Sequence, residues 1–141
     1  MKKYLSLLVA LLICMSFTAC GNSGPAEETK QPPSLIGEWK QINSQSEDSY
    51  QSAIITADTI EVYWISDGGD TKSLYWAGSF SAPTTTEDTF ILTSENDREK
   101  TDSAILASTS DIKEFTFSNG QISYEVSALG TTTTVRMEKQ E

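Results

Sequence analysis

From Leu35 onward, hydrophobic and polar residues alternate with a period of two. "TIEVYWIS" sets Ile60, Val62 and Trp64 against Glu61, Tyr63 and Ile65. "KSLYWAGSF" puts Leu74, Trp76 and Phe80 on one face, with Gly78 between them. Phe115 and Phe117 oppose Glu114 and Thr116; Ile122, Tyr124 and Val126 oppose Ser123 and Glu125; Val135 and Met137 oppose Arg136 and Glu138. Such alternation is the mark of strands with one buried face. Nine strands are expected, near 37–42, 51–56, 59–66, 72–80, 89–94, 103–109, 112–118, 121–127 and 131–138. Asn119-Gly120 joins two alternating runs and is a strong hairpin signal, because both residues tolerate positive φ. Asp67-Gly68-Gly69-Asp70, Ala57-Asp58 and Leu129-Gly130 read as further turns. The expected fold is all-β, an antiparallel up-and-down meander of about eight or nine strands. Closure into a small barrel removes exposed strand edges, with a two-sheet sandwich as the alternative.

The N-terminus has a different pattern. Lys2-Lys3 precede an uncharged apolar run from Leu5 to Met15, and Ser16-Phe17-Thr18-Ala19 end in small residues. The run is shorter than the roughly 20 residues of a membrane-spanning helix. A charged start, an apolar centre and a small-residue cut form an export signal over residues 1–19. "FTAC" at 17–20 resembles the lipobox of bacterial lipoproteins, with Phe17 where Leu is usual. That resemblance implies cleavage between Ala19 and Cys20 and lipidation of Cys20. Each buried acyl CH₂ contributes about 0.8 kcal/mol, so two or three chains would hold the protein to the extracytoplasmic face of a membrane. Gly21 after the cysteine is common among Gram-positive lipoproteins and compatible with outer-membrane sorting.

Residues 20–34 lack a hydrophobic period and are rich in Gly, Pro and Glu, and so read as a flexible tether. The β domain is expected over 35–141. Removing 19 of the 141 residues takes away Lys2, Lys3 and Cys14 but none of the 20 acids. Eight basic residues then face 20 acidic ones, a net charge of −12. Such a surface disfavours nucleic acid and favours cationic partners or simple solubility. With Cys20 lipidated no thiol remains for a disulfide, and the chain has no histidine. Zinc and copper sites lose their usual ligands, and Ser-His and Cys-His catalysis are excluded. The acidic stretches 67–70 and 94–102 do not follow the spacing of a calcium loop and read as a solvated turn and a solvated loop. No metal, no cofactor and no enzymatic activity are expected.

"LIGEWK" opens the domain with Gly37-Glu38-Trp39. It resembles the Gly-x-Trp at the first strand of lipocalins and other calycins. The resemblance implies that Trp39 crosses one end of the barrel beneath a cation from the last strand, for which Arg136 is placed in sequence. It also implies a first loop that lids the barrel mouth, where Tyr50 would gate a pocket. Bulky inward residues argue for a mostly filled interior, with Gly78 marking a bend or a pocket floor. Tyr50, Trp64, Trp76 and Gly78 are the candidate ligand or lid contacts. Tyr63, Ile65 and Tyr75 are expected on the surface, where aromatics anchor interfaces. The leading expectation is a monomeric, membrane-anchored, non-catalytic binding module for a small apolar ligand or an envelope component. The alternatives are a protein-binding role, as an inhibitor or envelope-assembly factor, and a structural surface lipoprotein with no specific ligand.

Overall fold

The computed structural model describes residues 29–141. The expected signal peptide, its cut after Ala19, the lipidation at Cys20 and most of the tether lie outside the described residues. Eight antiparallel strands follow one another around a closed barrel: β1 (Gly37–Gln41), β2 (Tyr50–Ile55), β3 (Thr59–Ser66), β4 (Thr71–Phe80), β5 (Thr89–Asn96), β6 (Ile112–Ser118), β7 (Gln121–Ala128) and β8 (Thr131–Lys139). The ring closes where β1 meets β8, with Trp39 opposite Lys139 and Gln41 opposite Met137. All eight strands lie in this one closed ring, so the sandwich alternative falls.

The alternating runs form the strands because each buries its apolar parity. Ile55, Val62, Trp76, Phe115, Ile122 and Met137 are almost wholly buried and fill the centre. The hairpin turns follow the local signals: Asn119 and Gly120 have φ of 51° and 81°, and Leu129 and Gly130 have φ of 51° and 79°. One end of the barrel carries the approach of the chain to Gly37 and the turns at 56–58 and 119–120. The other end carries 42–49, 67–70, 97–111 and 129–130.

Two features depart from the sequence reading. The first is the ninth strand expected near 103–109, which does not form. Instead Asp97 caps a single helical turn, Arg98–Thr101, its side chain accepting from the Glu99 amide at 3.2 Å. The chain then runs along the free edge of β4. The Asp97 amide donates to Ala77 O at 2.8 Å and the Ser108 amide to Tyr75 O at 2.7 Å. These bonds take the place of a ladder, because β5 pairs with β4 only over Gly78, Ser79 and Phe80.

The second departure is a bulge in β4. Val62 pairs with Trp76 and Tyr63 with Leu74, leaving Tyr75 as the extra residue. A bulge lets two consecutive residues point the same way. Tyr75 and Trp76 are therefore both buried, while Leu74 joins Tyr63 on the outer face.

Candidate functional site

The bulge assembles an aromatic cluster near the loop-bearing end of the barrel. Trp64 and Tyr75 meet edge to face, centroids 5.3 Å apart. Tyr75 stacks on Tyr124 at 6.5 Å, and Tyr124 meets Phe115 at 5.0 Å. Trp64 and Tyr75 lie at the bottom of a cleft of about 930 Å³. Its walls come from Leu106 to Ser110 on one side and from β6 and β7 on the other. Lys113 shares the parity of Phe115 and Phe117, so its side chain enters the cleft. Its ammonium lies 5.0 Å from the Tyr75 centroid and 5.6 Å from that of Trp76. Cation–π attraction of this kind contributes about 0.5–2 kcal/mol. The same ammonium donates to Glu125 O at 3.2 Å.

Beneath the aromatics sits a buried polar pair. The Tyr124 hydroxyl donates to Gln51 Oε1, and the Gln51 amide nitrogen has no partner. Turning the amide over would only exchange which atom is orphaned. Burial pushes the Tyr124 phenol well above its usual value, so it stays a neutral donor.

The expected ligand contacts divide. Trp64 lines the cleft. Trp76 is fully buried, its indole N–H donating to Ser94 Oγ at 3.0 Å. Gly78 is a close approach, since a Cβ there would lie 2.4 Å from Glu95 O and 2.4 Å from Ser94 Oγ. It does not line the cleft but a smaller depression on another face, with Glu61, Glu95 and Lys100. Tyr50 begins β2 opposite Ile65, beneath the Lys40 ammonium at 4.4 Å, and does not line the cleft. It lies along a shallow depression with Ser52, Ile54 and Lys72.

The expected surface trio does not hold either. Tyr75 is 5 % exposed because the bulge turns it inward. Ile65 is 8 % exposed although its parity faces outward. Tyr63 is half-buried, with the Lys72 ammonium 3.9 Å above its ring.

The cap expected at the barrel end does not form as expected. Trp39 is buried, and its indole N–H donates to Leu35 O at 2.9 Å. Arg136 sits between the inward Val135 and Met137 and is exposed on the outer face, so it does not cover Trp39. Among the described residues no cation lies over that ring. Lys139 has the inward parity of Met137 and faces Trp39 in register. It reaches Gly37 instead, its Cε 2.8 Å from where a Cβ would stand, and donates to Ser34 O at 3.3 Å.

Among the described residues no group of three or more acids could hold a metal ion. Asp97 caps a helical turn, Asp67 accepts from the Thr71 hydroxyl at 2.8 Å, and Asp102 and Asp111 pair with Arg98. On the outer wall Glu61 accepts from Lys100 at 2.6 Å and from the Tyr63 hydroxyl. Lys100 first and Tyr63 second hold the Glu61 carboxyl below its usual range. Burial, with Glu61 next, pushes the Tyr63 phenol from 10.0 up to about 12. A raised phenol stabilises the fold fully below pH 10, and that share is lost as pH rises towards 12. Ultraviolet titration of tyrosinate should show a component near pH 12 that Tyr63→Phe removes. A Tyr63 that ionises at the ordinary phenol value of 10.0 would refute this contact.

Reading the sequence by alternation alone missed Tyr75, Tyr124 and Lys113 as cleft residues. Two signals were available: consecutive aromatics at Tyr75-Trp76, and a lysine on the Phe115–Phe117 parity. Comparison with known proteins adds no relative, for no family model, no curated protein and no solved structure matches this chain.

Proposed function

We propose that the mature protein is an extracytoplasmic lipoprotein, held to the membrane through Cys20, whose lipocalin-like barrel binds a ligand and does no chemistry. The cleft carries this reading. The barrel centre is filled, yet at one end a half-buried indole, Trp64, opens onto a space bounded by Tyr75, Tyr124 and hydroxyl-bearing walls. Pockets with an aromatic floor and a few polar groups suit small molecules or the apolar part of a larger envelope component. Catalysis is not favoured, since the lining holds no histidine or thiol to act as base or nucleophile.

Native mass spectrometry of the lipidated protein, gently extracted from membranes, tests the reading. A bound mass, or uptake of an apolar dye, should be lost in Trp64→Ala. An empty protein that takes up no dye overturns it. Incorporation of labelled palmitate, abolished in Cys20→Ser, tests the anchor separately.

A second reading, a protein partner, draws support from the rim. Ile105 and Leu129 are 98 % and 106 % exposed, and Leu106 and Ile112 beside the cleft are also exposed. Apolar side chains gathered around one opening are the composition of a contact surface.

A further inference from the structure

The wall between β6 and β7 is open over half its height. The two strands pair only through Thr116–Ser123, Phe117–Ile122 and Ser118–Gln121. Beyond Thr116, β6 runs back to Ile112 because β5 holds its other edge, with Ile112 opposite Glu95. Beyond Ser123, β7 runs on to Ala128 because β8 holds its other edge, with Ala128 opposite Thr131. Residues 112–115 and 124–128 therefore each have one edge in a ladder and one edge without. The cleft passes through this gap. Outward-facing Glu114 and Glu125 line it together with inward-facing Lys113, Tyr124, Trp64 and Tyr75.

Free strand edges present unmatched amides and carbonyls, and proteins manage them explicitly. Here the Lys113 ammonium reaches across to Glu125 O, a bond that a neighbouring strand's amide would otherwise supply. We propose that this seam is a strand-addition site that takes an extended peptide of alternating apolar and basic residues. The proposal rests on the cleft being the binding site. A strand laid into the gap pairs through its backbone with residues 112–115, with 124–128, or with both. Its side chains alternate between the two faces of the wall. Those pointing inward meet Trp64, Tyr75 and Tyr124, which suits apolar groups. Those pointing outward meet Glu114 and Glu125, on a chain whose acids outnumber its bases, which suits lysine or arginine. Main-chain bonds supply affinity in this mode and the alternate pockets supply selectivity. Lys113 acts as a placeholder on Glu125 O that the entering strand displaces.

The test uses the full lipidated chain in detergent micelles. The probes are the acetylated, amidated hexapeptides of three Lys-Val repeats and of three Lys-Phe repeats. The controls are the same peptides with alternate backbone nitrogens methylated. Saturable binding is expected, with amide exchange slowed in segments 112–115 and 124–128. Methylation, or the Glu114→Gln/Glu125→Gln pair, should each weaken binding about tenfold, near 1.4 kcal/mol. Lys113→Met should tighten it several-fold, because it frees the carbonyl and removes a like charge. Circular dichroism and melting confirm that each variant folds. The proposal is overturned by no exchange protection at millimolar peptide, by equal binding of the methylated peptides, or by weaker binding to Lys113→Met. It is also overturned if the seam is protected by concentration-dependent self-association. Dye uptake that survives while the peptides fail sinks strand addition and leaves the cleft as a small-molecule site. Failure of both sinks both readings.

Discussion

Trp76→Ala is expected to lower the stability of the barrel by about 3–5 kcal/mol, the range for deleting a large aromatic from a packed core. Trp76 is wholly buried, packed within the cluster that includes Ile55, Val62, Phe115 and Met137. A ring of strands cannot collapse onto a hole in its middle without breaking ladder bonds, so the upper part of the range applies. The substitution also removes the partner of Ser94 Oγ, a buried hydroxyl. An unmatched buried polar group costs about 1–3 kcal/mol, so Trp76→Phe should still be clearly destabilised although it keeps most of the volume. Each kcal/mol shifts Tm by about 4–8 °C in a domain of this size, so Trp76→Ala should melt well over 10 °C below the parent. Urea denaturation of both variants gives the free energies. A loss below about 1 kcal/mol for the alanine would mean that the barrel does not close around the indole.

Gly78→Ala is expected to cost about 3 kcal/mol, although it adds one methyl group to a strand. The reason is the partner. A Cβ at Gly78 would meet the Glu95 carbonyl oxygen at 2.4 Å and the Trp76 Nε1 at 2.9 Å. The carbonyl belongs to the backbone of β5 and cannot turn aside. Gly78–Asn96 is also one of only three pairs that hold β4 to β5, so relief by strand movement opens the ring. Gly120→Ala makes the comparison, since nothing lies within 4 Å of its Cβ position. That change should cost only the left-handed backbone penalty, about 1–2 kcal/mol. Amide exchange at 78–80 and 94–96 should accelerate in Gly78→Ala and stay unchanged in Gly120→Ala. Equal losses in the two variants would show that the close approach at Gly78 is not rigid.

The same contrast, between what is local and what depends on a partner strand, separates the legible parts of this protein from the rest. Alternation placed Val62, Phe115, Phe117, Ile122, Tyr124, Val126, Val135 and Met137 on buried faces, and all are buried. The positive-φ residues of the 119–120 and 129–130 turns stand where Asn-Gly and Leu-Gly appear in the chain. The segment 103–109 misled because its short apolar run, Ala104-Ile105-Leu106-Ala107, reads as a strand although it forms no ladder. The edge of β4 was instead taken by single bonds from Asp97 and Ser108. Ile65 has an outward parity and is still covered, so parity alone does not give exposure.

The cleft was the least legible part. Trp64 was a candidate contact and lines it, but Trp76 lies in the packed core, and Gly78 and Tyr50 lie along other depressions. The bulge that brings Tyr75 inward is a mismatch of register between β3 and β4, which neither strand shows alone. Alternation already set Arg136 opposite Val135 and Met137, at odds with the cap that the resemblance implied, whereas the meeting of Lys139 with Trp39 was decided only when β8 closed on β1. By itself the sequence determined an all-β chain, the parity of most strands and the hairpin turns, because a two-residue period and a turn dipeptide act within a few residues. The tertiary structure decided the count of eight, the bulge, the cap at Gly37 and the open seam. Each of these depends on which edges find partners once the ring has closed, and that choice is made between residues far apart in the chain.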